Sequence, residues 1–394
     1  MTTRAEPLGG PILTRAFLVL LAFGLIGCGL MAVRFFFGLA PITNLSDGYP
    51  WGIWKPLNVV VATGIGAGGY SMALLVYVFN RGKYHDLVRP ALLVSALAYT
   101  IGGASVMVDL GRWWAVWQLP FVWLWNGNSV LLEVSICVIS YVLVLWVEVS
   151  PAFWDGLKGK QTRVGRFSRW FGPRLQKALP FIIALGVLLP TMHQSSLGGL
   201  FMISTFLHPL WHSGFLPLLF LISCLVMGYS GLVIQDGLTR LVLGRPQEDD
   251  LLPRISRLPP WLVLGYLALR FGDLAFKGRL GLLLVPDRFA FFFWLEIGLA
   301  LAGSALLLGE VQRRDPGRRF LAALSLILFG ALYRFDTYLI GIVPRGDWHY
   351  FPSVGEIFVS LGLWALAGCV FIIVVKRFPV LAAAPPSAQK LAHA

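Results

Sequence analysis

The stretch GNSVLLEVSICVISYVLVLWVEVS, residues 127–150, decides the fold class of this chain. A helix needs about 20 consecutive, mostly apolar residues to cross the hydrocarbon core of a bilayer. This stretch is long enough, and its only charged residues are Glu133 and Glu148. It therefore predicts a membrane-spanning helix that carries two carboxyl groups.

Nine further stretches of comparable length and apolarity occur in the chain. The ten predicted spans are 13–37, 56–79, 88–110, 127–150, 178–198, 215–237, 259–278, 288–311, 320–342 and 354–376. Hydrophobic residues make up 57% of the 394 residues and charged residues 13%, whereas a soluble domain carries about 25% charged residues. An ordinary soluble enzyme, a fibrous repeat and a disordered chain are excluded. We expect an all-α, polytopic membrane protein.

Lysine and arginine collect in the loops that join alternate pairs of predicted spans. With both termini in the cytoplasm, the segments on that side contain 23 of the 32 basic residues. Cytoplasmic loops of membrane proteins carry such an excess, so the sequence predicts an N-in, C-in orientation. The net charge of +13 has this origin and does not indicate a nucleic-acid partner. We expect a cytoplasmic segment over 1–12, a transmembrane domain over 13–378 and a disordered cytoplasmic tail over 379–394.

Tryptophan is concentrated on the opposite, outer side. Nine of the 15 tryptophans fall there: Trp51, Trp54, Trp113, Trp114, Trp117, Trp123, Trp125, Trp211 and Trp348. An aromatic belt explains most of them, but belts form at both membrane interfaces. The excess on one side indicates a docking surface for an external partner, or the mouth of a lipophilic cavity.

Six polar side chains are predicted to lie near the outer ends of spans three, four and five. They are Asp109, Arg112, Asn128, Glu133, His193 and Gln194. Because a charged group at the bilayer centre costs about 2.5–3.5 kcal/mol on insertion scales, residues of this kind are functional candidates. Two structural alternatives stay open. Asp109 and Arg112 are spaced i, i+3 and suit an ion pair, while Glu133 suits a buried hydrogen bond to another span.

This set of residue types suits two-electron, two-proton quinone chemistry. A quinone carbonyl needs a hydrogen-bond donor such as histidine, asparagine or glutamine. Its reduced oxygen needs a proton from a carboxylic acid or an imidazole. The ring needs apolar walls, and the tail needs an opening to lipid.

Further charged residues are predicted within other spans. Arg270, Asp273, Glu296, Arg334 and Asp336 are expected to pair with one another, either as structural ion pairs or as a proton or ion path. Glu148 lies further along the same predicted span as Glu133. About four helical turns, roughly 22 Å of helix, separate the two residues. Glu148 could mark the cytoplasmic end of a proton route, or it could be an exposed acid at the end of the helix.

Metal and haem sites are not expected. The four cysteines are widely separated and form no C-x-x-C motif, which argues against a metal cluster. A b-type haem usually needs two axial histidines on facing helices, and only His193, His208 and His212 lie near spans. Haem b is therefore not expected, although a haem held by His193 and one of the other two remains an alternative. A secondary transporter is a second alternative.

Seven short motifs carry a resemblance to a known family. They are PLGG (7–10), YPWGIW (49–54), VYVFNRGKYH (76–85), RPALL (89–93), NSVLLE (128–133), LLPTMHQSS (188–196) and HPLW (208–211). In these motifs the chain resembles the membrane subunits of hydrogenase-2-type [NiFe] uptake hydrogenases, within the NrfD/polysulfide reductase family. The resemblance extends to about residue 378.

The resemblance implies two four-helix bundles plus two extra helices, in the inner membrane, with the partner-docking face in the periplasm. It implies an anchor that passes electrons from a ferredoxin-like iron–sulfur subunit to menaquinone, beside the small and large [NiFe]-hydrogenase subunits. Such a chain does not itself activate hydrogen. On this basis Glu133 is expected to donate protons, His193 and Asn128 to contact the quinone carbonyls, and Asp109 with Arg112 to shape the pocket. An anchor for another reductase of the family remains open.

Overall fold

The computed structural model describes residues 5–49, 51–157, 162–244 and 251–382, and within them nearly all regular structure is helical. Nine described helices are long and apolar enough to cross a membrane. The nine are α1 (Arg15–Phe37), α2 (Trp54–Val78), α3 (Val88–Asp109), α4 (Val130–Leu157), α5 (Arg163–Gly199), α6 (Leu216–Leu243), α8 (Arg288–Ala305), α9 (Pro316–Ile340) and α10 (Val354–Arg377). The expected all-α class is confirmed.

A tenth helix, α7 (Leu258–Phe276, 19 residues), takes the place of the predicted seventh span. It is absent from the nine because two prolines, Arg270 and Asp273 lower its hydropathy. Both charged side chains are buried against protein. Each of the ten predicted spans thus corresponds to a helix. By length and hydropathy alone, nine of these ten helices could cross a membrane.

The boundaries of α5 differ from the prediction. The expected span was 178–198, but the helix runs over 37 residues from Arg163 to Gly199 and includes three prolines. With a rise of about 1.5 Å per residue it is roughly 55 Å long, well beyond the hydrocarbon thickness. The basic segment predicted as a loop therefore continues as helix, because its arginines remain exposed while an apolar edge packs against α4.

The helices form two four-helix bundles with two additional helices. Helices α2–α5 pack in the first bundle, α6–α9 pack in the second, and α1 packs along α10. A Cβ atom on Gly27 would lie 2.7 Å from the Cα of Gly362, so α1 and α10 meet through their glycine backbones. The bundle arrangement implied by the family resemblance is present.

The two bundles meet through small residues of α2 and α6. A Cβ atom on Gly228 of α6 would lie 2.7 Å from the backbone of Ala67 in α2. One on Gly68 would lie 3.4 Å from the carbonyl oxygen of Gly228. The glycines in the second span therefore serve close helix packing.

The two ends of the described chain lie together. Strand β1 (Ala5–Glu6) pairs antiparallel with β2 (Leu381–Ala382), and Leu381 is buried. Residues 379–382 thus belong to the folded part, although the sequence assigned them to a tail; residues 383–394 lie outside the described residues. Since both ends meet on one side, the chain crosses the molecule an even number of times.

Candidate functional site

Two neighbouring residues of α5, His193 and Gln194, are completely buried between the helices of the first bundle. The Gln194 amide donates to the Thr63 hydroxyl at 3.2 Å and to the Tyr99 hydroxyl at 3.4 Å. The Tyr99 ring lies edge-on to the His193 ring, with 5.6 Å between centroids. Residues from three helices thus surround the predicted pair with hydroxyl groups and aromatic surface.

Arg334 of α9 extends from the second bundle into this region. Its guanidinium donates to the Gln194 side-chain oxygen at 3.2 Å, the Val60 carbonyl at 3.0 Å and the Ser223 hydroxyl at 2.9 Å. These acceptors are neutral, and within the described residues no carboxylate forms an ion pair with Arg334. A buried, fully hydrogen-bonded guanidinium therefore links both bundles and fixes the orientation of the Gln194 amide.

His193 has no hydrogen-bond partner on either ring nitrogen among the residues that the structure describes. A neutral imidazole carries one donor and one acceptor nitrogen. Leaving a buried donor or acceptor unsatisfied costs about 1–3 kcal/mol for each group. Because both nitrogens are unsatisfied and lie beside a polar network, we expect this place to bind a polar ligand or water.

Glu133 lies at the surface of this region rather than inside it. Its side chain is exposed in the first turn of α4, and its Oε1 accepts from the Ser196 hydroxyl at 2.6 Å. Ser196 and His193 are spaced i, i+3, so Glu133 is joined to α5 about one turn from the buried imidazole. The structure brings these elements together without a direct hydrogen bond between Glu133 and His193.

The alternative of an ion pair between Asp109 and Arg112 is wrong. Asp109 is the last residue of α3, and Leu110 after it is extended, so the i, i+3 helical geometry is absent. Asp109 instead forms a salt bridge of 3.1 Å with Lys55 at the start of α2. Arg112 is exposed in the following loop, as is Asn128 before α4.

Sequence reasoning missed several polar residues on the same side of the molecule. The buried Arg34 of α1 donates to the carbonyls of Val108 and Leu110 at the end of α3. The buried Glu356 of α10 accepts from the Tyr350 hydroxyl at 2.6 Å. The signal that could have found them is a charged residue inside or next to an apolar run. That criterion had selected residues in other spans, and it also selects these in the first, second and tenth spans.

A second polar cluster lies within the second bundle. The completely buried Glu296 accepts from the Tyr266 hydroxyl at 2.6 Å and from the Trp211 indole at 3.2 Å. Arg270 and Asp336 are buried beside it and interact with it electrostatically.

Several polar atoms of this cluster have no hydrogen-bond partner in the described part of the chain. They are Arg270 Nε and Nη2 and the hydroxyl oxygen of Tyr333. Among the described residues, the Asp336 carboxylate oxygens have no donor other than the neighbouring Glu296 carboxyl group, with which they can share a proton. Arg270 also lies near aromatic faces, 5.2 Å from the Phe293 centroid. Two carboxyl groups and one guanidinium in a dry site balance in charge when one carboxyl group holds a proton.

The five charges expected to pair with one another separate into three environments. Arg270, Glu296 and Asp336 form the cluster in the second bundle, while Arg334 turns toward the first bundle. Asp273 forms a salt bridge of 3.0 Å with Lys277, which directly follows the end of α7. The expectation of a single paired set is therefore wrong for Asp273 and Arg334, because each finds partners nearer its own position.

Glu148 is buried near the opposite end of α4 from Glu133. A Cβ atom on Gly186 of α5 would lie 2.7 Å from its Oε1, so the carboxyl group occupies space that only glycine leaves free. The alternative of an exposed acid at the helix end is excluded. Glu148 is also separate from the hydrogen bonds of Gln194, which join it to Thr63, Tyr99 and Arg334.

The remaining histidines near spans have other surroundings. The His208 ring stacks on Phe289 with 4.1 Å between centroids, and its Nδ1 accepts from the Leu210 amide at 3.3 Å. Burial lowers the pKa of His208, which lies in the loop between α5 and α6. Within the described residues, no group of three or more histidine, cysteine, aspartate or glutamate side chains could hold a metal ion.

The loop between α3 and α4 exposes a dense aromatic surface. Two short helical turns, Trp113–Gln118 and Val122–Leu124, contain no buried residue. Trp114 and Trp117 are each 60% exposed and Trp123 is 78% exposed. This aromatic loop borders Arg112 and Asn128, next to the start of α4.

The chain matches a known protein family over most of its length. The family model described as "Polysulphide reductase, NrfD" matches residues 42–340. This chain belongs to the NrfD family. It is a multi-pass integral membrane protein, and the resemblance seen in the short motifs is confirmed.

Two of three named relatives match more than nine tenths of the chain. The probable Ni/Fe-hydrogenase 2 b-type cytochrome subunit of Escherichia coli K12 is 37% identical over 99% of this chain and 97% of its own length. The integral membrane subunit of menaquinone reductase from Nitratidesulfovibrio vulgaris Hildenborough is 27% identical over 41% of this chain and 37% of its own. A subunit of the selenate reductase of Mesobacillus selenatarsenatis is 25% identical over 92% of this chain and 93% of its own.

Proposed function

We propose that this NrfD-family chain is the quinone-reactive membrane subunit of a periplasmic [NiFe]-hydrogenase complex. It takes electrons from an iron–sulfur subunit and reduces menaquinone, with proton transfer at the outer side of the inner membrane. The names of two relatives support the two halves of this proposal: one is a hydrogenase-2 subunit and another a menaquinone reductase subunit.

The observation that carries the proposal is the unsatisfied imidazole of His193. A quinone carbonyl accepts a hydrogen bond, and the donor nitrogen of a neutral imidazole offers one. The adjoining Gln194 amide is held by Arg334 and Tyr99, so the polar environment of the imidazole is fixed before a ligand arrives. Such preorganisation lowers the cost of binding and of charge development on the reduced oxygen.

Glu133 has a different place in this proposal from the one expected from sequence. Because it is exposed and hydrogen-bonded to Ser196, it suits proton exchange between the outer aqueous phase and the region of His193. Asp109 is held by Lys55 and acts in positioning α2 and α3. Arg112 and Asn128, beside the aromatic loop, suit contact with the electron-donating subunit.

Electrons have to come from a partner in this proposal. The described residues contain no candidate metal cluster, and the donor would be the iron–sulfur subunit with the small and large hydrogenase subunits behind it. The exposed tryptophans of the aromatic loop suit its docking, since exposed aromatic residues are enriched at interfaces.

The cluster of Arg270, Glu296 and Asp336 suits storage or passage of a proton, and Glu148 suits its exchange at the cytoplasmic end. The contact between the two buried carboxyl groups of Glu296 and Asp336, which requires a shared proton, and the charge balance within a dry site support this role. The structural alternative is that the cluster holds α7, α8 and α9 together.

The experiment is hydrogen-dependent menaquinone reduction by the purified complex. We expect His193→Leu, which removes the hydrogen-bond donor, and Glu133→Gln, which removes the proton-exchanging carboxyl group, to assemble and to lose activity about 100-fold, the lower end of the usual loss for either kind of group. His349→Leu, in an exposed loop, is the matched control. If the His193 variant reduced menaquinone about as fast as the control, the proposed contact of His193 with the quinone would be wrong.

The name of the Escherichia coli relative favours one alternative, a subunit that carries haem b. His193 could serve as one axial ligand, since both its nitrogens are unsatisfied. An absorption spectrum of the purified complex distinguishes the two functions. A haem b spectrum that His193→Gln abolishes would replace the quinone-contact role with haem ligation.

A further inference from the structure

A large cleft lies on the surface of the second bundle, apart from the polar clusters described above. It has a volume of about 800 Å³ and lies between α7, α8 and the short helix Glu310–Arg314. Its walls are apolar, with Trp261 and Leu264 on one side and Leu301 on the other. These three side chains are between 52% and 73% exposed, so the cleft opens sideways from the bundle.

Two arginines lie at one end of this cleft. Arg257 precedes α7, and Arg313 belongs to the short helix; both line the cleft. The Nη1 of Arg313 donates hydrogen bonds to the carbonyl oxygens of Leu307 and Leu308, at 2.6 and 2.7 Å. Burial lowers the pKa of Arg313, and the nearby positive charge of Arg257 lowers it further.

Among the residues that the structure describes, the positive charge at this end is only partly compensated. Glu310 lies 3.7 Å from Arg257 and 2.8 Å from Arg314, so one carboxylate pairs with two of the three guanidinium groups. Both ion pairs are exposed, and exposed pairs hold weakly. The mouth of the cleft therefore keeps an excess of positive charge that suits an anion.

The dimensions of the cleft match half a bilayer. The lining residues on this side extend from Arg257, just before α7, to Leu267 within it. That length of helix is about 15 Å, and the hydrocarbon core of a bilayer is about 30 Å thick. The arginines lie at the end of α7 that faces the same side as the chain termini. In the expected orientation this is the cytoplasmic leaflet, where anionic lipids attract basic residues.

We propose that this cleft binds one acidic phospholipid of the cytoplasmic leaflet, with its phosphate at Arg257 and Arg313 and an acyl chain along Trp261, Leu264 and Leu301. Charge selects the occupant: the walls suit any apolar chain, but the two guanidinium groups require a negatively charged head group. The bound lipid joins α7, α8 and the short helix at their cytoplasmic ends. This inference is independent of the quinone site.

The test uses the intact complex in detergent after extensive delipidation. Native mass spectrometry counts the retained lipids, and titrations compare phosphatidylglycerol, phosphatidylcholine with the same acyl chains, and inorganic phosphate. Arg257→Gln removes a head-group contact, and Leu264→Trp fills the acyl groove; both positions are exposed, so neither change disturbs the core. Arg318→Gln, an exposed arginine next to the short helix, is the control.

We expect one retained phosphatidylglycerol per chain in the wild type and the control, and about tenfold weaker binding in each of the two cleft variants. Three results would overturn the proposal. The first is equal retention of phosphatidylcholine and phosphatidylglycerol. The second is unchanged phosphatidylglycerol binding in Arg257→Gln. The third is binding of inorganic phosphate alone as strong as that of phosphatidylglycerol. A photocrosslinker at position 264 that captures a partner's helix instead of lipid would also overturn it.

Discussion

At the scale of single residues, the environment of Arg334 depends on the shape of the guanidinium. Its three nitrogens reach acceptors in α2, α5 and α6 at once, and a lysine ammonium cannot reproduce this planar fork. The contact between the two bundles therefore depends on one side chain of a particular geometry.

Arg334→Lys is expected to destabilise the protein by about 2–4 kcal/mol, since buried acceptors lose charge-assisted hydrogen bonds. The measurement is thermal unfolding of the purified complex in detergent. The control is Arg254→Lys, at an exposed position. Equal midpoints for both variants would contradict the linking role of Arg334.

The acidic cluster of the second bundle gives a second residue-scale prediction. We assign the shared proton of this cluster to Asp336. Asp336→Asn then keeps the shape of the side chain and the charge balance with Glu296 and Arg270, so we expect a stability change of no more than about 1 kcal/mol. Arg270→Met leaves two carboxyl groups without their cation, and breaking a buried pair costs about 3–5 kcal/mol. The measurement is thermal unfolding of both variants, and a larger loss for Asp336→Asn than for Arg270→Met would refute the assignment of the proton to Asp336.

At the scale of helices, small residues determine which elements can approach. Gly186 leaves room for the Glu148 carboxyl group between α4 and α5. Gly186→Ala brings a methyl group against that carboxyl, so we expect destabilisation of about 1–3 kcal/mol by overpacking.

A double-mutant cycle identifies the cause of that effect. In a Glu148→Ala background the alanine at position 186 has space, and most of the cost disappears. Gly265→Ala in α7 is the control, because no atom lies within 4 Å of its added Cβ. If Gly186→Ala destabilises the Glu148→Ala protein as much as the wild type, the contact with Glu148 is not the cause of the destabilisation.

The contact between α2 and α6 provides a graded pair of substitutions. Gly228→Ala would place Cβ 2.7 Å from the Ala67 backbone, whereas Gly68→Ala would place it 3.4 Å from the nearest atom. Because a backbone cannot rotate away, we expect Gly228→Ala to lower the unfolding temperature by several degrees and Gly68→Ala to change it little. The reverse order of the two unfolding temperatures would contradict the packing seen here.

At the scale of the whole molecule, length and apolarity were enough to predict nine of the ten long helices, and α7 was predicted although two prolines and two charged residues lower its hydropathy. It could not predict how far a helix continues outside the membrane, so the basic beginning of α5 was assigned to a loop. The bundle arrangement came from family motifs, since hydropathy alone does not specify which helices are neighbours.

The sequence predicted which residues belong to the candidate site better than it predicted their contact partners. His193 and Gln194 stood out as polar residues in an apolar run, and the structure buries both. The partner of Asp109 could not be read from spacing, because Lys55 approaches from another helix. Tyr99 and Thr63 gave no signal, since single hydroxyl residues in spans are common and only tertiary packing brings them to Gln194.

The central claim is that the buried imidazole of His193 contacts a quinone. The most direct measurement is the distance between its ring nitrogens and a carbonyl oxygen of menaquinone, in an experimental structure of the complex with the quinone bound. We expect one such distance to be about 2.7–3.2 Å, that of a normal hydrogen bond. A quinone bound elsewhere, with His193 satisfied by water or by protein, would contradict the claim.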